Sequence, residues 1–226
     1  MKTKEIKGFK HVGYDPQRFD EAEMTNRSEA YYAYHDLRRS VRDISDRPFP
    51  KEILENIIKT ASTAPSGAHK QPWTFCVVQD PAIKSQIRKA AEKEEYESYQ
   101  SRMSDRWLDD LKPIGTDWEK PFLEKVPYLV VLFKRVFERD EEGNKSNNYY
   151  VNESVGIAAG MFISAVHHAG LVTLTHTPSP MNFLSDILKR PDNERAFLVL
   201  PVGFAEEEIY VPDLKRKTLS EVCVWY

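Results

Sequence analysis

Apolar positions recur along this chain in two periods, and those periods lay out its elements. Ile53, Leu54, Ile57, Ile58 and Ala61 fall at helical spacing behind Pro50, which predicts a helix opening at that proline with one apolar stripe. Asp80-Pro81 supplies a cap and a first helical position for a second helix through Ile83 and Ile87. From Val151 to Ala169 the chain is apolar nearly all round, with Gly156, Ala158, Ala159, Gly160 and Ala165 among larger residues. A helix of that kind is buried against something, in the core or across a subunit interface, and Gly170 ends it. Continuous apolar runs predict strands at Phe75–Val78, Tyr128–Phe133 and Ala196–Val202, the last two buried, and Leu171–Thr175 also reads as a strand. Glu29–Leu37 and Phe183–Leu188 read as short helices.

Other stretches lack either period. Residues 1–28 are polar and read as an irregular surface arm. Between Glu92 and Glu124 the chain turns polar and aromatic, and Pro113, Gly115 and Pro121 rule out one long helix. This segment reads either as a solvated helix pair or as a mobile lid, with Glu95 and Tyr99 on one helix face and Lys120 able to close over them. Arg139–Asn148 reads as a charged surface loop. Residues 205–226 form a C-terminal extension whose apolar end, Val222–Tyr226, reads as a strand needing a partner.

The length of 226 residues accommodates one substantial core, and no linker argues for a second domain. With 30% charged residues and a net charge of −3, the chain is expected to be soluble, and its short, balanced basic clusters do not favour nucleic acid. No apolar run approaches the ~20 residues of a membrane span. The polar start, Met1–Lys7, has no apolar signal core behind it, so a cytoplasmic protein is expected. Cys76 and Cys223 lack metal-ligand spacing and read as small hydrophobes in a reducing compartment, and no metal is expected.

The candidate chemistry lies in four separated segments. Ala64–Trp73 joins a helix to a strand through small residues, where Pro65 and Gly67 break the helix and Pro72 is expected to keep Gln71 extended. Arg38–Arg42 sets three guanidinium groups and a hydroxyl before two prolines, where the chain is expected to be extended; such forks suit a phosphate or the anionic edge of a reduced flavin. Thr173–Pro178 ends a strand in hydroxyls, and Pro212–Lys217 ends in three cations. No nucleophile–base pair or paired carboxylates declare themselves, which leaves the chemistry to a cofactor.

Together these segments resemble the flavin-binding pattern of the nitroreductase superfamily, over most of the chain from about Tyr32 onward, and within it the deiodinase branch. The resemblance implies an α+β fold, a three-layer α/β sandwich, in an intertwined homodimer that binds FMN at its interface. It places Arg38, Arg39, Ser40, Arg42 and Arg216 at the phosphate, ribityl and pyrimidine parts of FMN, with Pro65, Ser66, Gly67, Thr175 and His176 also against the cofactor. It puts the Thr177 hydroxyl at the redox-active nitrogen of the central ring, as the catalytic residue. It gives Glu95, Tyr99, Lys120 and the Ala68 amide to a halotyrosine substrate, with NAD(P)H or a reductase as electron donor. His69 stands where many nitroreductases have Asn, and the deiodinase branch accepts His there. The rival readings are a general nitroreductase or flavin reductase with an open site, a flavin-destroying enzyme, and a non-catalytic flavin-binding protein.

Overall fold

The computed structural model describes residues 2–226. The chain divides into two compact units, Met1–Arg38 and Arg39–Tyr226. In the first, β1 (Thr3–Ile6) and β2 (Phe9–Val12) form an antiparallel hairpin registered from Thr3↔Val12 to Ile6↔Phe9. Its turn residues Lys7 and Gly8 have φ of 51° and 81°, the left-handed pair that a two-residue hairpin turn needs. Asp20 then caps α1 (Glu21–Asp36), its carboxylate accepting from the Glu23 amide at 2.8 Å. The irregular arm expected over residues 1–28 is corrected accordingly. The hairpin strands are too short and too charged to show an apolar alternation, whereas Asp20 followed by Glu23 is a legible helix start.

The second unit is built on a four-stranded antiparallel sheet in the order β3 (Trp73–Val78), β4 (Tyr128–Arg135), β8 (Glu194–Gly203), β7 (Val172–Thr173). Leu129 to Phe133 of β4 are fully buried, which is why that strand reads as an unbroken apolar run rather than an alternating one. On one face Val131, Phe133 and Val199 pack with Ile87 and Ala91 of α3 (Pro81–Glu97), with Leu123 of α5 (Phe122–Lys125) and with Leu184 of α7 (Asn182–Ile187). On the other, Val130 and Leu200 pack with Leu54, Ile57 and Ala61 of α2 (Lys51–Ser62) and with Phe162 and Val166 of α6 (Val151–His168). Helices on both faces give the expected three-layer α+β architecture. Asp80 caps α3 as its sequence foretold, accepting from the Ala82 and Ile83 amides at 2.7 and 3.2 Å. Pro50 caps α2 rather than opening it.

Three elements depart from expectation. β7 covers only Val172–Thr173, after which the chain keeps a single bridge from His176 to Val199, so the five-residue strand is cut to its first part. The Arg139–Asn148 loop is closed by a hairpin of β5 (Phe137–Arg139) and β6 (Lys145–Asn147), with Asp140 accepting from the Asn144 amide at 2.8 Å. The apolar end is not a strand: α8 (Leu219–Val222) starts at a capping box between Thr218 and Glu221, a local signal that outweighs the apolar run beyond it.

One glycine fixes how the sheet meets the Arg39–Pro50 segment. A Cβ on Gly203 would lie 2.7 Å from Ile44 Cγ2, 3.1 Å from the Ser45 carbonyl and 3.2 Å from Pro127 Cδ. Ile44 is buried and bridges Ala205, so it has little room to retreat. Gly203→Ala is expected to cost about 1–3 kcal/mol, read as a lowered thermal midpoint; an unchanged midpoint would show that Ile44 yields freely.

Candidate active site

Between α3 and β4 the chain builds a small polar chamber. α3 presents Glu95, and the turn that follows, Ser98–Arg102, is wider than an α-helical one: the Met103 amide reaches back five residues to the Ser98 carbonyl at 2.9 Å. Such wide turns are frequent at functional sites, and this one carries Tyr99. α4 (Asp105–Leu111) and a single tight turn at Lys112–Ile114 then lead to Lys120. The Lys120 amide donates to Glu92 at 2.7 Å, and Arg88 pairs with both Glu92 and Glu124, at 2.8 and 3.3 Å, so the returning segment is tied to α3.

Inside the chamber Lys120 Nζ lies 3.9 Å from one oxygen of Glu95, while His176 Nδ1 lies 4.0 Å from the other. The Lys120 and Glu95 side chains are only 4% and 13% exposed. Lys120 Nζ donates to the Thr116 hydroxyl at 3.4 Å and stands 5.9 Å above the Tyr99 ring, and the Tyr99 hydroxyl donates to the Thr116 carbonyl at 3.1 Å. Thr116 therefore joins both, a role that sequence gave no reason to assign.

Burial governs the ionisation of this group. It pushes the Glu95 carboxyl above the usual range, and the Lys120 ammonium only partly restores it. It pushes Lys120 below the usual lysine range, with Glu95 the main opposing influence. Burial, then repulsion from Lys120 and Arg42, lowers His176 to about 3, so its imidazole is neutral. Its Nε2 is buried without a hydrogen-bond partner, and its ring meets Phe122 edge-on at 5.9 Å. Burial also lowers Arg42, against the opposing influence of Tyr99 and then Asp43.

The structure thus brings together Glu95, Tyr99 and Lys120, and it adds His176. Sequence had grouped His176 with Thr175 and Thr177 against the cofactor, yet the three diverge. Thr175 and Thr177 are exposed, whereas His176 is buried and bonded through both backbone atoms to Val199 at 2.9 Å. A second convergence surrounds Arg42. Arg39 donates to the Pro212 carbonyl and the Val41 amide donates to the Thr173 carbonyl at 3.3 Å, so the segments carrying Arg216 and Thr175–Thr177 both start beside Arg39–Arg42. Ser40 and Arg216 are exposed. Arg38 ends the first unit, its amide donating to the His35 carbonyl at 3.1 Å.

The Ala64–Trp73 loop makes its contacts with β4 and α6. Ala68, His69 and Gln71 have φ of 48°, 56° and 47°, three left-handed residues without a glycine around the right-handed Lys70. The expectation that Pro72 keeps Gln71 extended is corrected. Gln71 is held from both sides instead, its amide donating to the Ser66 hydroxyl at 2.9 Å and its carbonyl accepting from Arg135 at 2.9 Å. The Gly67 amide donates to the Ser154 hydroxyl at 3.3 Å, and a Cβ there would lie 2.9 Å from the Tyr149 carbonyl. Backbone strain so firmly enforced is a mark of a ligand-binding loop. Cations, hydroxyls and an exposed strained backbone are a donor set that fits FMN. Among the described residues no cluster of His, Cys, Asp or Glu could hold a metal ion, and no helix is long and apolar enough to cross a membrane.

Comparison with known proteins bears on this arrangement. The Nitroreductase family profile matches residues 37–204. The chain is 58% identical over 215 residues to the iodotyrosine deiodinase of Haliscomenobacter hydrossis, covering 95% of this chain and 97% of that one. It is 45% identical over 215 residues to iodotyrosine deiodinase 1 of Homo sapiens, covering 95% of this chain and 74% of the human one. The crystal structure of an oxidized iodotyrosine deiodinase bound to FMN and 3-iodo-L-tyrosine superposes with a TM-score of 0.74 at 29% identity, covering 87% of this chain and 98% of that one. With the profile spanning the whole sheet and such identity along nearly the full length, the chain belongs to the nitroreductase family, in its iodotyrosine deiodinase branch.

Proposed function

We propose that this protein is an FMN-dependent oxidoreductase that removes halogen reductively from mono- and diiodotyrosine, giving tyrosine and halide. The observation that carries this reading is the buried pair of Glu95 and Lys120, 3.9 Å apart and each driven by burial toward its neutral form. That spacing is beyond hydrogen-bonding distance, and a free amino acid has the complementary charges. Its ammonium donates to Glu95, its carboxylate accepts from Lys120, and the Tyr99 hydroxyl turns from the Thr116 carbonyl to bond between them.

FMN, when bound and reduced, supplies the two electrons that, with one proton, replace the carbon–halogen bond by carbon–hydrogen as halide departs. Arg38, Arg39, Ser40, Arg42 and Arg216 would hold its phosphate, ribityl chain and pyrimidine edge. Pro65, Ser66 and Gly67, with Thr175, His176 and Thr177, would lie against the cofactor. The Ala68 amide donates to the substrate phenolate, which ring halogens make accessible by lowering the phenol below its usual pKa of about 10.

A homodimer completes the site in this reading. The outer face of α6 is open at Gly156, Ile157 and Gly160, and a Cβ built on either glycine would meet nothing within 4 Å beyond the helix's own backbone. Tyr150, Leu219, Val222 and Trp225 are also exposed, and apolar surface of this extent suits a partner subunit. Both cysteines are free, in keeping with a reducing, cytoplasmic setting, where NAD(P)H or a reductase would be the electron donor.

Diiodotyrosine added anaerobically to the FMN-reduced protein is expected to oxidise the flavin and release iodide; flavin that stays reduced would overturn the reading in favour of a general nitroreductase. Glu95→Gln is expected to weaken diiodotyrosine binding by about 10- to 100-fold while FMN stays bound, the loss of one charge-assisted hydrogen bond. Affinity should also trace a narrowed bell with pH. Glu95 is anionic only above its raised pKa, so affinity falls as pH drops through it; Lys120 is cationic only below its lowered pKa, so affinity falls as pH rises through it. Titration of flavin fluorescence against pH checks both limbs. Thr177→Ala is expected to retain both ligands and slow iodide release by about tenfold, the upper range for one hydrogen bond; an unchanged rate would leave Thr177 with no catalytic part.

A further inference from the structure

The outer face of the chamber carries a second charged group, centred on Arg102. Its guanidinium donates through Nη1 to Glu94 at 2.8 Å and to the Ser179 carbonyl at 3.2 Å, and through Nη2 to Glu97. The buried Ser98 donates to the same Ser179 carbonyl at 3.5 Å. Glu94 and Glu97 share one side of the helix, while Glu95 and Tyr99 share the other. Arg102 therefore spans the wide turn from outside, across the stretch that points the two clamp residues inward. Ser179 lies just beyond Thr177 and His176, and His176 is pinned to the central sheet through Val199. A chain of direct contacts runs from the sheet, through His176–Ser179, to the turn bearing Tyr99.

We propose that Arg102 is a positioning residue for the substrate: it latches the turn carrying Glu95 and Tyr99 to the Ser179 carbonyl, and so sets halotyrosine affinity without touching the substrate. This rests on the functional reading above. Each ion pair is partly exposed and weak by itself. The force of the arrangement is geometric, because a planar fork engages three acceptors at once and loses little freedom per bond. A wide turn is also a poor helix by itself, with fewer ladder bonds to hold it. Without the fork, Tyr99 and Glu95 would have to be ordered by the substrate, at a cost to its affinity.

The test uses the FMN-loaded protein with Arg102→Ala and Arg102→Lys. It measures FMN affinity, steady-state iodide release from diiodotyrosine with a chemical reductant, and amide hydrogen exchange over residues 92–102. Arg102→Ala is expected to raise KM about tenfold, equivalent to 1.4 kcal/mol, with kcat and FMN affinity unchanged. Exchange over 92–102 should accelerate, and Arg102→Lys, which keeps the charge but not the fork, should fall between. A wild-type KM, or a parallel loss of kcat, FMN affinity and thermal midpoint, would overturn the latch. If the wild type neither binds nor dehalogenates diiodotyrosine, the functional reading fails by itself. Exchange over 92–102 then still decides the latch, since it should rise in Arg102→Ala with or without a substrate.

Discussion

Two charges taken out of water and held just too far apart set the terms for everything around them. At 3.9 Å and an effective dielectric of about 20, Glu95 and Lys120 attract by roughly 4 kcal/mol. Removing each from water costs several kcal/mol, so the pair does not stabilise itself. The surrounding scaffold must hold it in place. The Lys120 amide bond to Glu92, the Arg88 bridge between Glu92 and Glu124, and the Tyr99–Thr116 bond do so from the returning segment. Lys84, buried and donating to the Val126 carbonyl at 2.7 Å, fixes the end of α5. A ligand carrying both charges relieves what the scaffold sustains.

The sheet gives this chamber its fixed wall. β4 and β8 pair along eight residue positions, and Val199 of β8 holds His176 by both backbone atoms. His176 can therefore face Glu95 only as the sheet allows, and it does so neutral, which spares Glu95 a competing ion pair. The helical wall is of another kind. From Glu92 to Glu124 only Ser98, Lys120, Phe122 and Leu123 are buried, and the polar contacts that hold the rest run to α3 and to Ser179. One wall is fixed by packing, the other by hydrogen bonds that a ligand can exchange.

What could be read from the sequence follows the range of each signal. The buried run of β4, the stripe of α2 and the Asp80 cap depend on neighbours a few residues away, and each was legible. The clamp trio emerged from a resemblance, not from period or spacing. Gln71 was misread because a proline's local influence was opposed by Ser66 and by Arg135, the latter 64 residues distant. The Glu95–His176 and Arg102–Ser179 contacts join positions that no local pattern relates. For Arg102 a trace existed, since it lies two helical turns after Glu94, the spacing of a charged face. α8 had its capping box in plain sight, and the apolar tail drew the reading toward a strand instead.

Arg42 acts on the buried polar group by field rather than by contact. It depresses both Lys120 and His176, and its own burial is opposed first by Tyr99. It lies in the segment that meets Thr173, beside the residues suited to FMN. An anionic group placed against Arg42 would cancel part of its repulsion of Lys120, returning that ammonium toward its ordinary pKa. Lys120 would then hold its proton, and its grip on a carboxylate, to higher pH. The same anion would ease the penalty on Glu95 indirectly, because a more firmly charged Lys120 favours the carboxylate beside it. On the proposed assignment of Arg42 to the cofactor, binding there would prepare the charges of the substrate half, and linkage would make the coupling reciprocal: a zwitterion that fixes Lys120 as a cation would raise the affinity for an anion at Arg42.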